Sequence, residues 1–245
     1  MTSPPRTRID RLLVTRGLFD SRARAQDAIA AGLVKANGKV IAKASEEVAA
    51  DAAIEASPAH PYVSRGALKL IAALDHFKID PKGRVCLDIG ASTGGFTQVL
   101  LERGAAHVTA VDVGTAQLHQ SLRGDPRITS LEQTDIRTLD AARLDPKPDL
   151  VVIDVSFISL KQVLPAALAL AARPAQLIAL IKPQFEAGRE HLKKGIVRDE
   201  AVRRQVCDDI AAFGFMTEGH VSGIIPSPIE GGDGNVEYLI GAVFS

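Results

Sequence analysis

Lys182 and Asp154 each close an apolar run, Leu177–Ile181 and Leu150–Ile153. Runs of that length, rich in Leu, Ile and Val, read as buried strands, so both charges stand at strand ends. Lys182 is followed by Pro183, which turns the chain away from its strand. A neutral lysine held beside a carboxylate can take a proton from a hydroxyl. Lys69 (in S-R-G-A-L-K-L) and Glu237 (in N-V-E-Y) become interesting if they converge on the same place. Two cations and two carboxylates would then order one another by mutual hydrogen bonds. A second lysine and partial burial favour the neutral form, and the carboxylates oppose it. Taken singly, Lys69 falls one position off the apolar face of its helix and reads as a surface residue. Glu237 alone reads as an edge charge on a late strand, and the four together also fit a purely structural ion-pair cluster.

A second stretch with chemical potential is V-C-L-D-I-G-A-S-T-G-G-F, from Val85 to Phe96. It reads as a strand, a small-residue turn and the start of a helix. In that arrangement backbone N–H groups and a helix N-terminus approach a ligand closely. Asp112 closes the next apolar run, a suitable place for a carboxylate that accepts from a ribose diol. Asp135 lies four residues beyond a third strand, Arg127–Leu131, where a carboxylate can accept from an adenine amino group. The dinucleotide fingerprint would place glycine where Ser92 stands, and a pyrophosphate needs its closest backbone approach there. The departure points away from nicotinamide and flavin dinucleotides. An acidic strand end followed by Gly-x-Ser-x-Gly-Gly resembles the first motif of class I S-adenosylmethionine (SAM) methyltransferases, whose ligand carries no phosphate. That likeness implies cofactor contacts from Asp88, Gly90, Ser92, Gly94, Gly95 and Phe96, with Asp112 and Asp135 beyond them.

The elements that must hold these residues alternate. A helix runs from Ser64 to Phe77, a strand over 85–89, a helix over 96–103, and strands close at Asp112 and Leu131. Further strands are expected over 149–157, 177–181, 221–225 and 236–244, with helices over 160–172 and 199–213 and a polar stretch at 183–198. Pro226-Ser-Pro and Gly231-Gly-Asp-Gly separate the last two strands. Strand alternating with helix implies a parallel sheet covered on both faces, an α/β doubly wound, Rossmann-like architecture. Ligands bind such sheets at the carboxyl ends of the strands. Gly90, Asp112, Asp135, Asp154 and Lys182 all fall at such ends.

Residues 1–57 differ in character. Residues 1–43 carry nine Lys/Arg against three Asp/Glu, a balance of +6, and the remainder balances this at −6 within a chain of net charge zero. Such asymmetry marks a basic, nucleic-acid-facing module joined to a more acidic body. Two short helices are expected, ending at Gly17 and Gly32, the second capped by Asp20 or Ser21. Asn37-Gly38 between short β-type runs is a strong hairpin signal, and Ala53–Glu55 adds a strand. The run R-I-D-R-L-L, then S-R-A-R-A-Q-D-A-I-A-A-G-L-V-K-A-N-G-K-V-I, is similar to the RNA-binding module shared by a small-subunit ribosomal protein and many bacterial pseudouridine synthases. Arg8, Arg11, Arg22, Arg24, Lys35 and Lys39 are the candidate phosphate contacts. Residues 58–63, with two prolines, read as a short stiff linker to a catalytic domain over 64–245.

The order of these motifs covers nearly the whole chain and resembles the TlyA family, 2′-O-ribose methyltransferases of ribosomal RNA historically called haemolysins. Their catalytic domain is similar to the FtsJ group, which uses a Lys-Asp-Lys-Glu tetrad. The resemblance implies Lys69, Asp154, Lys182 and Glu237 as that tetrad, Lys182 as general base, SAM as cofactor, and cytidine 2′-hydroxyls of 16S and 23S rRNA in ribosomal subunits as substrate. A ribosome-assembly factor with an inert SAM-like fold and a membrane-acting haemolysin are the other classes. No run of 18 or more apolar residues indicates a membrane span. The N-terminus has no secretory apolar core. Cys86 and Cys207 make neither a disulfide framework nor a zinc spacing, so no metal is expected and the cytoplasm is the default compartment.

Overall fold

The computed structural model describes residues 5–215, 219–231 and 234–245. Met1–Pro4, and Gly232 and Asp233 of the expected glycine-rich turn, lie outside them. The chain divides into two compact units, Met1–Arg65 and Gly66–Ser245. Residues 58–63 fall in the first.

The first unit runs β1 (Arg6–Arg8), α1 (Ile9–Thr15), α2 (Arg22–Ala30), β2 (Val34–Ala36), β3 (Lys39–Val40), β4 (Glu47–Ala49) and β5 (Ile54–Ala56). Ser21, rather than Asp20, caps α2 by accepting from the Arg24 backbone N–H at 3.3 Å. Asn37 and Gly38 both have positive φ, 50° and 78°, as a tight β2–β3 turn requires. Strands β3-β2-β5 form one small sheet and β1-β4 another. The sequence signal missed β1 and β4: each is three residues long, too short for a visible alternation. Ile9, Leu13, Ala25, Ala28 and Val34 make a core of their own.

The second unit begins with α3 (Gly66–Phe77), β6 (Val85–Ile89), α4 (Gly95–Glu102), β7 (His107–Val111), β8 (Ile128–Leu131) and β9 (Leu150–Ile153). It continues with α5 (Leu160–Leu170), β10 (Ala175–Ile181), α6 (Pro183–Glu186), β11 (Leu192–Lys193), β12 (Ile196–Val197), α7 (Glu200–Phe215), β13 (Gly219–Pro226) and β14 (Tyr238–Phe244). Seven strands form one sheet in the order β13-β14-β10-β9-β6-β7-β8. Neighbours from β10 through β8 pair in parallel. β14 runs antiparallel to both β10 and β13, which corrects the expectation of a wholly parallel sheet. A parallel neighbour needs a crossover of a dozen or more residues, usually with a helix, and the stretch 227–237 between β13 and β14 is too short for one. The sheet is therefore mixed.

Leu87 and Ile153 are fully buried at its centre, each contributing about 1.5–3 kcal/mol by transfer out of water. They and their neighbours fix the strand ends where the charged residues stand. Strand order reverses between β6 and β9, which opens a crevice at their carboxyl ends. The expected polar stretch 183–198 is structured: α6, a 3-10 turn over Arg189–His191 and the β11–β12 hairpin. Two-residue strands with lysines between them carry almost no periodic signal.

Candidate active site

A cleft of about 510 Å³ opens at the crevice. Gly90, Ser92, Asp112, Asp135, Asp154, Ser156 and Phe157 are among the residues that line it. Local backbone geometry explains the turn. Gly90 has φ +83°, and a Cβ there would run into the Asp154 carbonyl, so the two strand ends approach as closely as they do only with glycine. Ser92 is also left-handed, at φ 48°. Its backbone N–H donates to Asp112 Oδ2 at 2.8 Å, and the Gly114 N–H donates to Asp112 Oδ1 at 2.7 Å. These bonds hold the Asp112 carboxylate at the cleft wall with lone pairs to spare. Asp135 accepts from the Arg137 guanidinium at 2.6 Å and backbone N–H at 2.9 Å. Both bonds hold its carboxyl below the usual carboxylate range.

The other four residues expected to touch a cofactor do not line the cleft; they build the turn. Gly95 and Phe96 are buried in the first turn of α4. Gly94, at φ +92°, leaves room for Leu118 and Leu122, whose side chains a Cβ would meet. Asp88 has no exposed surface. It accepts from Thr97 Oγ1 at 2.7 Å, and its Oδ1 has no partner. Burial pushes this carboxyl up to about 7, against the Thr97 hydrogen bond, with the Asp154 and Asp112 charges adding to the rise.

The four residues expected as a tetrad form two ion pairs at the carboxyl ends of β9 and β10, with Lys69 reaching in from α3. Lys182 Nζ is 2.6 Å from Asp154 Oδ1. That contact is an ion pair without aligned hydrogen-bond geometry, since the same Oδ1 has no hydrogen-bond partner. The lysine's hydrogen bond goes instead to Ser156 Oγ, at 2.8 Å. Lys69 Nζ is 2.5 Å from Glu237 Oε2. Antiparallel β14 is what brings Glu237 there. Tyr238 pairs with Ile181, so the residue before β14 stands beside the residue after β10. A parallel strand would have sent Glu237 to the opposite edge. Gln184 Nε2, two residues beyond Lys182, reaches Glu237 Oε1 at 3.4 Å.

Lys69, Lys182 and Glu237 are buried, with 7%, 9% and 3% exposure. The position of Lys69 off the apolar stripe suggested surface. It is tolerated inside because Glu237 compensates its charge.

Four contributors were invisible to motif reasoning. Ser156 bonds Lys182, and Gln184 bonds Glu237. Gly231 lies against the Glu237 carboxylate, where a Cβ would collide with it. Phe157 is 91% exposed, has φ 65°, and stands 5.1 Å from the Phe185 ring. An aromatic residue in left-handed backbone beside a cleft is a strained placement of order 1–3 kcal/mol. Ser156 and Phe157 follow Asp154 within V-I-D-V-S-F, and Gln184 and Phe185 follow Lys182, so these stand next to motif residues in the chain although their contacts do not show there; Gly231 has no such neighbour.

The six candidate RNA contacts of the first unit differ in availability. Arg8 and Arg22 both bind Asp10, at 2.9 and 2.7 Å. Asp10 has no exposed surface and also accepts from Gln26 at 3.0 Å. Burial works to raise the Asp10 carboxyl and is overcome by the Arg8, Arg22 and Gln26 hydrogen bonds, which hold it well below the usual range. Arg24 pairs with Asp20 at 3.1 Å, and Lys35 with Glu55 at 3.5 Å. Arg11 and Lys39 are exposed.

Among the described residues no His/Cys/Asp/Glu group could hold a metal ion, and no helix is long and apolar enough to cross a membrane. Cys86 and Cys207 are buried free thiols, both pushed up to about 12, mainly by burial.

Residues 62–244 match the FtsJ-like methyltransferase family, and residues 7–54 match the S4 domain. The chain is 45% identical over 238 residues to the 16S/23S rRNA (cytidine-2′-O)-methyltransferase TlyA of Mycobacterium tuberculosis, covering 96% of this chain and 89% of that one. Hemolysin A of Brachyspira hyodysenteriae is 39% identical, covering 95% and 98%. A solved structure from Streptococcus thermophilus, carrying the label hemolysin, is similar with a TM-score of 0.79 at 41% identity, covering 98% of this chain and 89% of that one. By the match over residues 62–244, the amino-terminal S4 domain and the identity over nearly the whole chain, the chain belongs to the FtsJ-like methyltransferase family, in the TlyA branch.

Proposed function

We propose that the chain transfers a methyl group from SAM to a ribose 2′-hydroxyl of ribosomal RNA, with cytidines of 16S and 23S rRNA as targets, in the cytoplasm. The observation that carries the reading is the pair of buried Lys182 and half-buried Asp154 at strand ends beside the cleft, with Glu237 on the adjoining strand end held by Lys69 of α3.

The cleft residues fit SAM. The turn offers backbone close approach at Gly90, a ribose diol can donate to Asp112, and an adenine amino group can donate to Asp135. When bound, SAM supplies the electrophilic methyl group.

The chain's own residues do the rest. Lys182, acting as the neutral amine after its ammonium proton has left to solvent, takes the 2′-hydroxyl proton onto Nζ as the oxygen forms its bond to the methyl carbon and the methyl–sulfur bond breaks, leaving a neutral thioether. Asp154 and Ser156 hold that amine from two sides, so its position is set before substrate arrives. Lys69 and Glu237 orient the ribose. Phe157 and Phe185 offer an aromatic face at the cleft mouth, suited to stacking an unpaired base. The S4 domain brings RNA through Arg8, Arg11, Arg22, Arg24, Lys35 and Lys39, with Asp10 fixing the first and third of these guanidiniums. A catalytic role is favoured over an inert assembly factor by the burial of the two lysines.

The test is Lys182→Ala. A positioned general base contributes about 10²–10⁴-fold. The variant should therefore lose methyl transfer by that factor while SAM affinity stays within about twofold.

A further inference from the structure

The second unit carries more carboxylates than cations, 22 Asp/Glu against 19 Lys/Arg over 66–245. Some of its cations are neutralised in pairs: Arg84 with Asp149, Arg103 with Asp75, Arg127 with Asp125 and Arg137 with Asp135. The segment 187–198 concentrates the opposite sign. It holds Arg189, Lys193, Lys194 and Arg198 against the single carboxylate of Glu190. All four cations are exposed, and none forms an ion pair among the described residues.

The segment is built to hold those charges still. β11 and β12 pair through Leu192↔Val197 and Lys193↔Ile196, which leaves Lys194-Gly195 as a two-residue turn. Both turn residues have positive φ, 53° and 80°. Such turns prefer Asn-Gly, the pair this chain uses at 37–38. Lysine in the first position has the backbone of asparagine without its local stabilisation, so the side chain rather than the turn accounts for it. The base is fixed as well. Val197 is 2% exposed, β12 packs on α6 and α7, and Arg203 Nη1 donates to the Val197 and Arg198 carbonyls at 3.0 and 2.8 Å. α6 begins directly after Lys182 and carries Phe185. The prong is thus mounted on the element that leaves the candidate base.

We propose that the β11–β12 hairpin is a second RNA-binding surface, a rigid cationic prong that takes the phosphate backbone beside the nucleotide presented to Lys182. Phosphates suit it because fixed, exposed, unpaired cations bind a polyanion without needing base contacts. The proposal rests on reading the second unit as an RNA methyltransferase.

The experiment measures equilibrium binding of the full chain to a ribosomal RNA fragment over a salt series, for wild type, Lys193→Gln/Lys194→Gln and the control Lys78→Gln/Lys147→Gln. Two lost phosphate contacts should flatten the slope of log K against log salt by about 1.4–1.8. The control should match wild type, and SAM affinity should stay the same in all three. Lys194→Asn separates charge from folding: it should raise the thermal midpoint, because asparagine suits the turn, and still lower RNA affinity. Unchanged RNA affinity and slope in the hairpin variants would overturn the prong. Methyl transfer by the wild type, assayed in parallel, shows separately whether the reading of the catalytic site stands.

Discussion

Asp88 shows what a single side chain can cost and do. It stands under the glycine turn, fully buried, with one oxygen unpartnered, and burial lifts its carboxyl to about 7. The folded state therefore holds a proton that the unfolded chain releases near pH 4. The stability from the neutral carboxyl is fully present below about pH 4. It falls by about 1.4 kcal/mol per pH unit as pH rises towards 7, and is lost above that. Asp88→Asn should flatten that part of the stability curve, measured by urea unfolding across pH 5–8; an unchanged pH dependence would contradict the assignment. Gly231 makes the complementary point, since a methyl group there meets the Glu237 carboxylate. Gly231→Ala should displace Glu237 from Lys69 and lower kcat by about tenfold or more, given how steeply rate depends on positioning. SAM affinity should be unchanged. Lys69, Asp154, Lys182 and Glu237 could be singled out from motifs through the family resemblance, but the contacts of Ser156, Gln184 and Gly231 could not. Their roles come from which strand ends become neighbours, and no local pattern encodes that.

Elements decide where those side chains stand. α6 carries the turn after Lys182, and Glu186 at its end ties it to α5 by accepting from Ser159 Oγ at 2.5 Å and the Leu160 N–H at 2.7 Å. That carboxylate caps α5 from outside and leaves α6 little freedom. Glu186→Ala should loosen α6 and reduce kcat by about tenfold with KM for SAM unchanged. Activity at the wild-type level would show that α6 is held by other means. The strands β6, β7, β9 and β10 were legible because each is a continuous buried apolar run. β14 was legible as a strand but not in direction, because direction depends on the connection before it rather than on its own residues. The β11–β12 hairpin was illegible because lysines at a turn look like any polar loop.

At the scale of the whole molecule the chain has two units, and their charges differ. The basic balance of residues 1–43 was readable directly from composition. What composition could not show is that Arg8 and Arg22 are organised by a carboxylate with no exposed surface. Hydrogen bonds to a buried charge contribute about 1.5–3 kcal/mol. Asp10→Ala should therefore destabilise the first unit by about that amount and weaken RNA binding, while SAM binding, which belongs to the second unit, stays the same. The stabilisation from Asp10 is present above the unfolded carboxylate range and is lost as pH falls below it, the opposite sign to Asp88. The central claim joins both units: RNA held by basic residues is methylated at a ribose by a site organised around Lys182. Its most direct test is mass mapping of ribose methylation on ribosomal RNA incubated with SAM and either the wild-type chain or Lys182→Ala. A 2′-O-methyl mark that appears with the wild type and is absent with the variant, at equal SAM affinity, is the predicted result. No mark with the wild type, or an equal mark with Lys182→Ala, would contradict it.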